Sequence, residues 1–193
     1  MKKITKTEEP GFYMNFIKKE KPQKWDDISP VRTQMRMHIL EIEQNHQCAY
    51  TSLQLRGNND DSHIDHYKKQ NMFPSEILNY NNLFVSTNNE AFGAKYKDKH
   101  ITKPDYDFLI NPALENPDDY LEYSYSGEIY SKNNSKKGEK TIELFQLNHK
   151  FLKKKRKDKI KIFNTIKNEF DLDELITYLR EFEGMIRYFY NEK

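Results

Sequence analysis

Apolar positions along the chain change period several times. Residues 1–26 fit no single period. Pro10 and Pro22 interrupt a mixed stretch whose apolar positions are largely aromatic, which predicts an arm anchored by Phe12, Tyr13, Phe16 and Trp25 rather than a helix. From Ser29, "SPVRTQMRMHILEIEQNH" places Val31, Met35, Ile39 and Ile42 at helical spacing, with Ser29 as the N-cap and Pro30 at the first helical position. The histidines of this helix, His38 and His46, are assigned to the surface.

The period then changes. "CAYTSLQL" (48–55) alternates, "RGNNDD" reads as a turn, and "SHIDHY" (62–67) reads as a second strand, so a hairpin is expected. The short apolar run in "NYNNLFVS" comes next, and "TNNEAFGAKYKDKH" (87–100) predicts one short helix. A strand–strand–helix unit thus spans about 48–97. Beyond it, "YDFLINPALENPDDYLEYSYSGEIYSKN" reads as a loop and then a β-hairpin or edge strands, with "NNSKKGEK" a loop tip. Helix resumes from about Leu147. In the last segment Asp171 and Glu174 have the spacing of a capping box, and Leu172, Leu175, Leu179, Phe182, Ile186 and Phe189 form a buried stripe. The fold class expected is α+β: one domain, with 1–47 an N-terminal arm and helix, 48–110 a ββα core and 111–193 a hairpin and C-terminal helices.

Composition adjusts this picture little. A mean hydropathy of -1.02 is polar for a folded chain, but the aromatic content of 13% is foreign to disordered ones, so a folded domain with a heavily solvated surface is expected. A formal net charge of +2 excludes a uniformly basic surface and leaves the run "KFLKKKRKDKIK" (150–161) as the local excess. That run is either a solvated helix face or a phosphate track, with Lys153, Lys154 and Lys155 at its centre. With Cys48 the only cysteine, no disulfide forms within the chain and no four-cysteine zinc site is possible; Cys48 itself reads as a small buried residue. "MKKITKTEEP" has no apolar stretch behind its basic residues, and a soluble, cytoplasmic protein is expected.

The chemistry concentrates in "HIDHY" (63–67). Asp65 supplies an anionic oxygen suited to a hard divalent metal, and His66 an imidazole whose ordinary pKa of about 6.5 suits a general base. At a strand end both can converge on one phosphate. By alternation His63 lies on the other face from His66, suited to an indirect supporting contact or a phosphate contact rather than to the base. Asn82 is placed to bridge two loops by hydrogen bonds, and Lys95 and Lys97 to reach phosphate from the next helix.

This order resembles the HNH (ββα-metal) nucleases. Over essentially the full length it is more closely similar to the PtuB-type HNH proteins of Septu and retron-associated antiphage systems. The resembling pieces are "KITKTEEP", "KW" at 24–25, "EQNHQCAYT" against a C-A-Y-C knuckle and "HIDHY" against H-I-E-H-F. They continue with "YNNLFVS" against D-N-L-F-x-S-C, "FGAKYKDK" near a C-G-H-x-K segment, "LINPALENPDDYLEYSYSGEI" and "TIELFQLNHKFLKKKR". The resemblance implies a nuclease acting on DNA or RNA in antiviral defence, with Mg²⁺ or Mn²⁺ as cofactor and a PtuA-type ATPase as partner. The chain departs from the pattern at the knuckle, where Thr51, Thr87 and Phe92 replace cysteines. No structural zinc is therefore expected, and Phe92 is expected to plug the gap. It departs again at the distal histidine, where Ala94 or Lys95 stands and Asn88, Asn89, Glu90 or His100 are the available substitutes. A degenerate HNH protein that binds without cutting, or a structural interaction protein using its C-terminal helix, are the alternatives.

Overall fold

The computed structural model describes residues 1–191. Pro10 and Pro22 bracket a helix instead of breaking one. Pro10 stands at the N-cap of α1 (Gly11–Glu20), its carbonyl accepting from Tyr13 and Met14, and Lys21 closes the helix in the left-handed region just before Pro22. The arm expected over 1–26 is therefore helical in its middle. Its aromatic anchors hold: Tyr13 is buried, and Phe12, Phe16 and Trp25 pack against the core.

A short 3₁₀ turn leads into α2 (Ser29–His38), with Ile28 at the cap and Ser29 and Pro30 opening the helix. The helix ends in a π turn, Ile39–Glu43. The extra residue in that turn rotates the backbone beyond it, so Glu43 points inward and Ile42, expected in the core, is 63% exposed. His46 is exposed and His38 half-buried, near the hydroxyl of Thr7.

The first hairpin is not built as its alternation suggests. β1 (Ser62–His66) pairs antiparallel with β2 (Leu83–Thr87), in the register His63↔Ser86, Asp65↔Phe84, His66↔Leu83. The segment 48–55 turns back on itself, with one bridge between Gln47 and Gln54, and lies along the outer edge of β2. There Ala49 N donates to Val85 O, and the buried amide of Gln44 both donates to Val85 O and accepts from Val85 N. These bonds satisfy an edge that a strand would otherwise pair. Gly93, at φ +80°, then turns the chain into α3 (Ala94–His100), which packs behind the hairpin.

The second hairpin, β3 (Leu121–Tyr123) with β4 (Ile129–Ser131), forms at its predicted position. Gly127 lies between them at φ +85°, and a Cβ there would run into the Lys153 carbonyl oxygen. The expected loop tip at 133–140 is a loop only to Ser135, whose side chain caps α4 (Lys136–Leu144). Helix resumes as α5 (Lys150–Ile166), three residues later than expected, with His149 as its cap. The capping box of Asp171 and Glu174 opens α6 (Leu172–Leu179). Arg180 and Phe182, both at positive φ, separate it from α7 (Glu183–Asn191), so one predicted stripe becomes two helices sharing a core. No helix among the described residues is long and apolar enough to cross a membrane.

Candidate functional site

The end of β1, the loop 67–82 and α3 enclose a cavity of about 370 Å³ lined by His63, Asp65, His66, Lys69, Lys95 and Asp98. Strand alternation would set His63 apart from His66. It shares the cavity because His66 is the last residue of β1, where alternation ends.

Asn82 closes the loop. Its Oδ1 accepts from Lys68 N at 2.7 Å, while its Nδ2 donates to Lys68 O and Glu76 O, both at 3.1 Å. The loop so held supplies both partners of His66. The Nε2 of His66 lies 2.9 Å from Ile77 O, and a carbonyl only accepts, so Nε2 carries the proton. Nδ1 is then the basic nitrogen and accepts from Gln70 Nε2 at 3.2 Å. The edge of the Trp25 ring packs on the imidazole at 4.4 Å. Burial holds the pKa of His66 below its usual value, against the pull of the Ile77 carbonyl and Asp65, so the neutral ring is favoured. Burial also lowers His63, whose Nδ1 is buried without a hydrogen-bond partner.

Asp65 is 3% exposed. The Tyr50 hydroxyl donates to its Oδ2, and Lys97 Nζ lies 3.3 and 3.5 Å from its two oxygens. Burial opposes the charge on Asp65, but Lys97, the two imidazoles and Tyr50 together hold its pKa below the usual carboxylate range. Lys97 is raised for the complementary reason: burial is outweighed by Asp65 and Asp98. The two are a charged pair. This corrects the expectation for Lys97, whose side chain is 0% exposed and cannot touch a phosphate. It also bears on Asp65 as a metal ligand. A divalent ion needs open carboxylate oxygens and several hard donors, and here both oxygens are engaged. Among the described residues no three His, Cys, Asp or Glu side chains converge into a metal-holding group. The residues present do not fit Mg²⁺ or Mn²⁺ at Asp65.

The remaining candidates lie apart. Lys95 lines the cavity but pairs with Glu90 at 3.0 Å. Lys153 pairs with Glu128 at 2.6 Å, whereas Lys154 and Lys155 are exposed on α5. Lys155 borders a different cavity, alongside Phe92, Phe151 and Asp60. The substitutes for a distal histidine are engaged elsewhere: Asn88 with Asn59 O and Ser62 O, Asn89 with Ala91 N, Glu90 with Lys95 and Lys99, and His100 with Tyr96. At the knuckle positions Cys48, Thr51, Thr87 and Phe92 are all buried. The methyls of Thr51 and Thr87 flank Gly93, and Phe92 stacks on Phe151 at 5.8 Å.

Tyr50, Lys69, Gln70, Asp98 and Trp25 are the site residues that sequence reasoning missed. Two of them had a signal: Tyr50 by its place two residues after Cys48 in the knuckle-like stretch, and Trp25 in the "KW" of the family resemblance. No protein-family model matches this chain, and no curated protein matches it.

Proposed function

We propose that this chain is an HNH-type (ββα-metal) subunit over residues 62–100 that engages nucleic acid without cutting it. In this reading it serves as a binding or regulatory partner of a PtuA-type ATPase in antiviral defence. The observation that carries the reading is the closed carboxylate of Asp65, whose oxygens are taken by Tyr50 and Lys97. Support for nucleic acid comes from the exposed Lys154 and Lys155; Lys69 and Lys95 line the histidine cavity, but their ammonium groups are held by Asp98 O and Glu90. The test is binding and cleavage of single- and double-stranded DNA and RNA under Mg²⁺ and under Mn²⁺, by the protein alone and with the ATPase. Salt-sensitive binding without cleavage is expected.

A second reading, a metal-dependent HNH endonuclease, is favoured by one observation. The Nε2–H of His66 is committed to Ile77 O, which fixes Nδ1 as the basic nitrogen of a neutral imidazole, the form a general base needs. Gln70 would have to release it. Metal-dependent cleavage that falls by about 10²–10⁴-fold in His66→Ala, with binding intact, would establish this second reading and overturn the first.

A further inference from the structure

Lys97 sits in an unusual acceptor shell. Its Nζ lies 3.3 and 3.5 Å from the oxygens of Asp65, 3.1 Å from Asp98 Oδ1, 3.2 Å from His66 O and 3.1 Å from Tyr67 O. An ammonium has three N–H donors, fewer than these five oxygens. The surplus is visible at Asp98, whose Oδ1 is buried and within ion-pair distance of Nζ yet forms no hydrogen bond. Carboxylate and carbonyl oxygens in this number are the ligand set of a hard divalent cation. Three parts of the chain supply them: β1, the backbone just past its end, and α3. The shell is not sealed, because the Asp98 side chain is 34% exposed and lines the 370 Å³ cavity.

We infer that the Lys97 ammonium is a tethered replacement for a divalent cation, seated in an oxygen cage that accepts Mn²⁺ or Ca²⁺ once the side chain is removed. The inference deepens the proposed function by naming what fills the site, but it concerns only the cage and its cation. The cage fits an ammonium at the separations found; a Ca²⁺ ion would draw the oxygens in by roughly 0.5–1 Å. Removing Lys97 frees the Asp98 carboxylate and Asp65 Oδ1 to make that movement, with Tyr50 still donating to Asp65 Oδ2, and the mutual repulsion of the two carboxylates favours a cation between them. An ordinary buried ion pair, with no latent cation site, would lose stability in the same variant but gain nothing from metal.

The test uses the full chain as wild type, Asp65→Asn, Lys97→Ala and Lys97→Ala with Asp65→Asn. Bound Mn²⁺ is followed by electron paramagnetic resonance, and melting is followed in chelator, Mn²⁺ and Ca²⁺. The wild type is expected to hold no Mn²⁺ that depends on Asp65 and to melt at the same temperature with and without chelator. Lys97→Ala is expected to melt lower in chelator and to recover by roughly 5–10 °C at a metal concentration about 100 times the Kd. The double variant should not respond. If Lys97→Ala does not fold in chelator, refolding in Mn²⁺ gives the answer: recovery only with metal supports the inference, and no recovery in either condition overturns it. A folded Lys97→Ala that ignores both metals overturns it too. So does a wild type that binds one Mn²⁺ lost in Asp65→Asn. Cleavage by the wild type would instead overturn the proposed function, so the two failures are separable.

Discussion

Replacing Asp98 with Asn is expected to stabilise the protein at neutral pH. Asp98 is on α3 beside Asp65, and the two carboxylates share the one ammonium of Lys97. Burial and the Asp65 charge raise its pKa from 3.8 to about 6, against the opposing pull of Lys97 and Lys69. The folded protein therefore holds this proton more tightly than the unfolded chain does. Between about pH 4 and pH 6 the unfolded state has released the proton while the folded state keeps it. Stability falls as pH rises through that window and stays lower above it. Two pKa units at about 1.36 kcal/mol each set an upper bound of about 3 kcal/mol; with the side chain one-third exposed, solvent screening reduces this to about 1–2 kcal/mol. Asn cannot ionise and escapes the cost. Urea unfolding across pH, followed by the fluorescence of Trp25 against His66, measures it. His63 and His66, held neutral by burial, add stability that is present above their ordinary pKa and is lost as pH falls. They are unchanged in the variant, so the difference between the two proteins isolates Asp98. That difference should be near zero at about pH 4, grow to about pH 6 and then level off. An Asn variant less stable than wild type at neutral pH would mean that the Lys97–Asp98 attraction outweighs burial and repulsion, and the account of the cluster would fail.

Asn82→Ala removes three hydrogen bonds that tie Lys68 to Glu76 and should cost about 2–3 kcal/mol. Limited proteolysis should cut first within 67–82, and cleavage elsewhere instead would refute the loop-closing role. On α5, Lys154→Ala with Lys155→Ala should lower the salt dependence of nucleic-acid binding by roughly 0.7–0.9 in log–log slope for each phosphate no longer neutralised. Lys153→Ala should leave that slope unchanged because its ammonium is held by Glu128. Equal effects from all three lysines would show that the Lys153 pair opens on binding.

Local signals carried much of the fold. The Asp171 and Glu174 capping box and the alternation of "SHIDH" are decided within a few residues, and both formed where expected. Signals that depend on a distant partner were ambiguous. The residues 48–55 alternate as a strand would, but they meet the edge of β2, already satisfied by Gln44 and the Ala49 amide, so no second ladder forms. The apolar period from Leu172 to Phe189 runs straight through a chain reversal, because Phe182 stays in the core while its backbone and that of Arg180 turn left-handed. Lys97 was the hardest to place. A lysine on a short polar helix ordinarily faces water. Its burial is decided only when α3 docks on the end of β1 and two carboxylates and two carbonyls close around it.

That docking changes how variants of the motif must be interpreted. In an open metal site, Asp65→Ala would act mainly on the metal and leave the fold alone. Here the same change leaves the Lys97 ammonium buried with its main counter-charge gone, and breaking one partner of a buried pair typically costs about 3–5 kcal/mol. An inactive Asp65→Ala protein therefore would not identify Asp65 as a metal ligand, because a partly unfolded protein gives the same result. His66 is the cleaner probe. Its ring is held by Ile77 O, Gln70 and Trp25 at the edge of the loop, and no buried charge depends on it. Asp65, Tyr50 and Lys97 bind the hairpin to the helix, whereas His66 faces the cavity they support. The test for chemistry at this site is therefore His66 and not the carboxylate beside it.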